Sequence, residues 1–205
     1  LEDLAGPLPL LAEEDADFGA WHSFAFIQLD HRASFAIDIS EHAMSDRKIG
    51  LKGIIEHRPL EPGEGVGCVS FETALMRRVE PLPEDFDELG HVNNVVYLKW
   101  VQEMAVTHWH LLSPKATIDS EVWVALKHTI EYRDPIEPGQ TAEIRTWLGS
   151  YKGARFNRHV DIRKPGAKRF SAQAVTEWCR LSSVTRRPMR IDREVLALFG
   201  VLTED

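Results

Sequence analysis

Polar residues crowd one short run, Asp87-Glu88-Leu89-Gly90-His91-Val92-Asn93-Asn94-Val95-Val96-Tyr97. Asp87 offers a carboxylate that can serve as base or nucleophile, and His91 offers an imidazole as a second proton carrier. Asn93 has the residue type of a helix N-cap, so the N–H groups that follow it, beginning with Asn94, lack intrahelical partners and carry the positive end of the helix dipole. A base beside oriented N–H donors suits attack on a carbonyl carbon, where negative charge develops on the oxygen. Other chemistries find less support. His108 and His110 sit two apart on one helix and point away from each other, so no metal site is expected. No nucleophile elbow, phosphate-binding loop or dinucleotide fingerprint is present, and no cofactor is implied.

The element that must position these groups is a helix starting at Asn93. Val92 and Tyr97 then occupy the two positions of a hydrophobic staple. Lys99, Gln102, Glu103, Thr107 and His110 share one face, while Tyr97, Val101, Met104, Ala105, Trp109 and Leu112 form a wide apolar arc on the other. Pro114 ends the helix. Before it, a strand is expected over Val69–Val79, followed by the stiff approach Glu80-Pro81-Leu82-Pro83-Glu84. After it comes a Pro/Ser/Lys connector, then four long segments of period two. Val124, Leu126, Ile130 and Tyr132 alternate with polar residues, as do Ala142, Ile144 and Leu148, then Phe156, Val160 and Ile162, and finally Phe170, Ala172, Ala174 and Trp178. Such alternation predicts an antiparallel sheet with one buried face, and the apolar helix is its natural occupant. His128 falls on the apolar face of its strand, as a satisfied core or interface histidine. A short amphipathic helix is expected over Ile191–Phe199.

The motif D-x-x-G-H-V-N-N-x-x-Y, followed by an aromatic-rich helix, resembles the active-site loop and central helix of hotdog-fold acyl thioesterases. The similarity is to the 4-hydroxybenzoyl-CoA thioesterase-like group and to the second half of acyl-ACP thioesterases, and it runs over about residues 69 to 195. The resemblance implies an α+β hotdog, an antiparallel sheet wrapped around one long central helix, that hydrolyses an acyl-CoA or acyl-ACP. Asp87 matches the catalytic carboxylate of the first group, and the backbone N–H of Asn94 matches its carbonyl-polarising donor. His91 matches the histidine of the acyl-ACP pattern. Leu89, however, replaces that pattern's asparagine, and its Glu-Cys pair falls at Pro135-Ile136. His91 therefore has two roles open to it, catalysis or ordering of the loop. Asn93 and Tyr97 lie beside the site, as cap and core residues and as candidate substrate contacts. Lys152 and Arg155 are candidates for holding CoA phosphates within a basic group that also includes Arg158, Lys164, Lys168 and Arg169, otherwise read as a solvated strand rim. The resemblance also implies at least a homodimer, with sites at subunit interfaces. A non-catalytic acyl-CoA-binding regulatory hotdog is the alternative.

Composition frames these readings. The chain has 205 residues, 43% hydrophobic and 27% charged, which suits a soluble globular protein. No apolar run is long enough to span a bilayer, and the first residues lack the basic segment of a secretory signal. Two cysteines, Cys68 and Cys179, fit free thiols in a cytoplasmic protein. Of 32 acidic and 24 basic residues, 13 acidic and 5 basic fall in 1–69, leaving 19 of each sign for the rest. An acidic first third argues against nucleic-acid binding there. We divide the chain into an N-terminal region, 1–69, and a hotdog thioesterase domain, 70–205. The first is an acidic extension or a shortened first hotdog repeat. Residues 1–19 have the composition of a loose tail. Ser23–Leu29 and Ser34–Ile39 suggest a hairpin. Ile55–Gly63 echoes Ile130–Gly139 through shared Pro/Gly turn chemistry.

Overall fold

The computed structural model describes residues 64–201. The expected tail, the hairpin, the Ile55–Gly63 echo and most of the N-terminal region lie outside the described residues. Within them the order is β1 (Leu75–Val79), a 3-10 turn (Pro83–Asp85), α1 (Asn94–Leu112), α2 (Lys115–Ser120), β2 (Glu121–Tyr132), β3 (Ala142–Lys152), β4 (Arg155–Arg163), β5 (Ala172–Ser182) and α3 (Arg193–Leu198). The five strands make one antiparallel sheet in the order β1-β3-β4-β5-β2. This is the antiparallel sheet and single long helix expected from the alternation, and it agrees with the α+β hotdog that the resemblance implies. None of the described helices is long and apolar enough to cross a membrane.

The helix is fixed to the sheet by its large side chains. Tyr97, Trp100, Val101 and Met104 share one buried cluster with Leu75, Val79, Ile144, Val160, Ile162 and Ala174. Each of the larger aliphatic side chains among these contributes about 1.5–3 kcal/mol on leaving water. A second cluster, built on Leu148, Phe156, Val195, Leu196 and Phe199, extends the core beneath Trp109 and Trp123 and docks α3 against the sheet. Asp192 caps that helix, its side chain accepting from Val195 N at 3.0 Å.

Several local expectations are corrected. β1 begins only at Leu75. Ahead of it, Ser70 and Thr73 hydroxyls bond nearby N–H groups, including Ser70 N to Thr73 Oγ1 at 3.1 Å, and so hold the chain in a turn. The connector after α1 contains a six-residue helix. Leu126 lies at a register shift in β2 and is 47% exposed rather than core-facing. His128 is exposed, which excludes the core alternative and leaves the interface one, and it is satisfied, with Nδ1 2.9 Å from Thr176 Oγ1. Thr107, placed on the polar face of α1, is buried. Arg158 is not on a solvated rim: it shares the inward face of β4 with Phe156 and Val160 and is 6% exposed.

Residues 64–68, on the N-terminal side of the expected boundary, are built into the domain. Cys68 is buried, its carbonyl accepts from Leu148 N at 2.9 Å, and Gly67 N donates to Phe199 O at 2.6 Å. The Gly65 carbonyl lies 2.6 Å from His108 Nε2.

Candidate active site

The loop before α1 is closed by its own backbone. Phe86 and Val92 form an antiparallel bridge, Asp87 N donates to His91 O at 2.9 Å, and Gly90 N donates to Asp87 O at 3.0 Å. Gly90 has φ +74°, a conformation that costs a residue with a Cβ and costs glycine little. Asp85 ties both ends: its carboxylate accepts from Leu82 N at 2.9 Å and its carbonyl from Asn93 N at 2.9 Å. Ile136, fully buried, clamps the loop to α1, because its carbonyl accepts from Val92 N and its N–H donates to the Tyr97 hydroxyl at 3.1 Å.

The two oxygens of Asp87 have different surroundings. Oδ1 accepts from Leu89 N at 2.9 Å and His91 N at 3.2 Å. Oδ2 has no hydrogen-bond partner among the described residues, and the side chain is half-buried. One oxygen holds the turn and the other is available. His91 orders the loop through its main chain, and its half-buried ring has no hydrogen-bond partner among the described residues.

α1 begins as the sequence predicts. Asn93 Oδ1 accepts from Val95 N at 3.0 Å, and the Asn93 carbonyl accepts from Val96 N at 2.9 Å. Val92 and Tyr97 are both buried, as a staple requires. With those donors satisfied, the N–H of the exposed Asn94 remains without an acceptor among the described residues, at the positive end of the helix. The Tyr132 hydroxyl donates to Asn94 O at 3.2 Å and ties this turn to the end of β2. Asp87, His91, Asn93 and Asn94 thus gather at one end of the sheet. Tyr97 stands behind them in the core, with burial pushing its phenol pKa up.

Lys152 and Arg155 are not brought to this site within one chain. They pair with each other at the β3–β4 turn, where Arg155 bonds Glu177 at 2.7 Å. Seven residues of β4 separate Arg155 from Ile162, which pairs with Ala172 opposite Tyr132. At ~3.3 Å per residue that is roughly 23 Å.

Sequence reasoning missed a buried polar group farther along α1. His108 is fully buried, with Nε2 on the Gly65 carbonyl and Nδ1 accepting from Arg158 Nη1 at 2.8 Å. Burial, reinforced by the neighbouring guanidinium, pushes the His108 pKa down to about 3 and keeps the ring neutral. Burial also lowers Arg158, to about 10. The inward parity of Arg158, between Phe156 and Val160, was the available signal.

A family model described as the thioesterase-like superfamily matches residues 81–199, which takes in the loop, α1 and all but the first strand. None of the curated proteins matches. Among solved structures, a probable thioesterase from Escherichia coli superposes with TM-score 0.54 at 18% identity, covering 63% of this chain and 98% of that one. A 1,4-dihydroxy-2-naphthoyl-CoA thioesterase from Synechocystis gives 0.53 at 13%, with 60% and 93% covered. A thioesterase from Thermus thermophilus, complexed with coenzyme A and zinc, gives 0.53 at 19%, with 60% and 90% covered.

Proposed function

From the premise that the chain belongs to the thioesterase-like superfamily, an enzyme of thioester hydrolysis, we propose that its substrate is an acyl-CoA. Water adds to the thioester carbonyl, the carbon–sulfur bond breaks, and a free acid and CoA leave. Asp87 Oδ2 takes a proton from the attacking water, or attacks the carbonyl itself to give a mixed anhydride that water then opens. The Asn94 N–H, at the start of α1, receives the developing oxyanion. Asn93 holds that turn in place, Tyr97 supports it from the core, and the His91 ring carries a proton toward the departing sulfur.

The observation that carries this reading is the pairing of unlike duties at Asp87. Its Oδ1 is fixed by two backbone N–H groups while Oδ2 is left open, on the same loop that leads to an acceptor-free N–H. CoA as the carrier is supported by the Thermus relative's bound coenzyme A and by the acyl-CoA substrate in the Synechocystis relative's name.

We also propose a homodimer formed along β2. Its outer edge has no strand partner among the described residues, and Ala125 to Thr129 are all exposed. A long bare edge is a template for pairing with another strand. Antiparallel pairing turns the far end of one sheet toward the near end of the other. The partner's β3–β4 turn, with its lysine and arginine, then lies at the same end as Asn94, where CoA phosphates need cations.

The test is hydrolysis of a panel of acyl-CoAs and acyl-ACPs by wild type and Asp87→Asn. The expected result is turnover of at least one acyl-CoA and a loss of about 10²–10⁴-fold in the folded variant. Turnover unchanged by Asp87→Asn would reject the assignment. Saturable binding with no turnover of any thioester would instead point to the non-catalytic, ligand-sensing alternative.

A further inference from the structure

Far along α1 from the Asp87 loop, a cavity of about 250 Å³ opens between the helix, the start of β2 and the ends of β3, β4 and β5. From Asn94 to Val106 on its rim is twelve residues of helix, about 18 Å. Trp109, Trp123, Phe156, Trp178 and Phe199 make its walls apolar and aromatic. One feature of those walls does not fit an empty apolar hole: Arg158, 6% exposed, lines the space.

Arg158 has no countercharge. Its Nη1 donates to His108 Nδ1 at 2.8 Å and to Thr146 Oγ1 at 3.3 Å, and its guanidinium lies 5.8 Å from the centre of the Phe199 ring. Both acceptors are neutral. Nε and Nη2 make no hydrogen bond among the described residues, and no described carboxylate pairs with them. Glu121, a carboxylate on the same wall, is held by Arg180 through both of its oxygens. Buried arginines are ordinarily paired, because an isolated charge is costly away from water. Here the open side of the fork faces a space larger than the ~150 Å³ cavity that holds a benzene. A planar two-oxygen anion matches that fork.

We propose that this cavity binds an organic monocarboxylate with a compact apolar body, its carboxylate on Arg158 and its body against the tryptophans. Two sources share this chemistry: a free organic acid, or the far end of an acyl group that carries a terminal carboxylate. The binding itself does not depend on the thioesterase reading.

The test uses the full chain, with phenylacetate as probe and phenylacetamide as its uncharged counterpart. Tryptophan fluorescence and thermal midpoint are followed in titration. Phenylacetate should give a saturable fluorescence change and raise the midpoint, with the amide about tenfold weaker or worse. Arg158→Met should bring the acid down to the level of the amide. Val106→Trp, which fills the rim and leaves every charge in place, should abolish binding of both. Should Arg158→Met fail to fold, the contrast between acid and amide in wild type and the Val106→Trp loss still decide. Equal binding of acid and amide overturns the proposal, as does absence of saturation in the millimolar range or binding that survives Val106→Trp. The source is read from kinetics with hexadecanoyl-CoA, whose chain is long enough to span the distance from Asn94 to the cavity rim, and with its counterpart bearing a terminal carboxylate. Competition by phenylacetate against the second substrate alone assigns the cavity to the acyl tail. Equal effects on both, without competition, assign it to a separate acid. Absence of hydrolysis with either substrate counts against the proposed activity and leaves the binding result standing.

Discussion

Asp87 shows how one side chain divides its duties. If Oδ1 is structural and Oδ2 chemical, replacement by Asn and by Ala should separate the two. Asn keeps a carbonyl oxygen for Leu89 N and His91 N, so Asp87→Asn should unfold at nearly the wild-type denaturant midpoint. Ala leaves two loop N–H groups unpaired, which costs ~0.5–1.5 kcal/mol for each bond lost, less where water reaches them. Both should lose turnover alike. If Asp87→Ala is as stable as Asp87→Asn, the division of labour is wrong. His108 gives a second prediction at this scale, in the acid range. Its folded-state pKa of about 3 lies below its ordinary 6.5, so the unfolded chain takes up a proton that the folded one refuses. The stability this provides is complete above pH 6.5 and is lost progressively as pH falls toward 3. The full effect is on the order of 4–5 kcal/mol. His108→Gln has no ring to titrate, so its urea midpoint should fall less than that of wild type between pH 6.5 and 4. Parallel curves would show that other groups dominate acid unfolding.

At the scale of elements, the start of α1 joins stability to chemistry. Asn93→Ala should lose a cap worth about 0.5–2 kcal/mol, and the turn that presents the Asn94 N–H should loosen with it. Losing one good oxyanion donor costs about 10²–10³ in turnover, so disordering its turn should cost less than that and still be plain in kcat. Gln102→Ala, on the polar face, is the control. Equal turnover of the two variants at a temperature where both are folded would remove the helix N-terminus from the mechanism. The same element shows what a sequence carries and what it omits. The cap, the staple and the stop were legible because each is a local pairing of residue type with position. Four strands were legible because side-chain parity survives along each of them. What was lost are the places where parity breaks or is overridden. The shift at Leu126 has no glycine or proline to mark it. The Val69–Thr73 turn won over strand propensity through hydroxyl bonds. Arg158 kept its inward parity against its own polarity, in a pocket that only the folded chain creates. The site loop was read from its motif, whereas Lys152 and Arg155 fall a strand's length away, and which end of a sheet a residue occupies is a property of topology.

For the whole molecule, two features decide how the site is completed, the partner of the β2 edge and the start of the domain. The second has a direct test. Residues 64–68 supply the Gly65 carbonyl to His108, the Cys68 carbonyl to β3 and Glu64 to the buried Arg77 at 2.6 Å. A fragment 70–205 removes all three and should be unstable, whereas 64–205 keeps them. If 64–205 is soluble and hydrolyses thioesters, the preceding residues are an extension. If it aggregates while the full chain does not, they complete the fold, as a shortened repeat would.

The β2 edge bears on function more directly, because the proposed dimer is what brings a basic turn to the site. Leu126 and Thr129 are exposed on that edge and lie outside both core clusters. Replacing both with Lys puts charges where a second β2 would approach and leaves the fold's interior untouched, the device by which natural edge strands avoid pairing. The double variant should elute at half the mass of wild type with an unchanged far-UV spectrum. Its KM for acyl-CoA should rise, since the phosphates lose their cations, while a short acyl thioester without the nucleotide should be affected less. A wild type that is monomeric at assay concentrations, or a monomeric variant with unaltered KM for acyl-CoA, would show that one chain binds the carrier unaided and that Lys152 and Arg155 have no part in it.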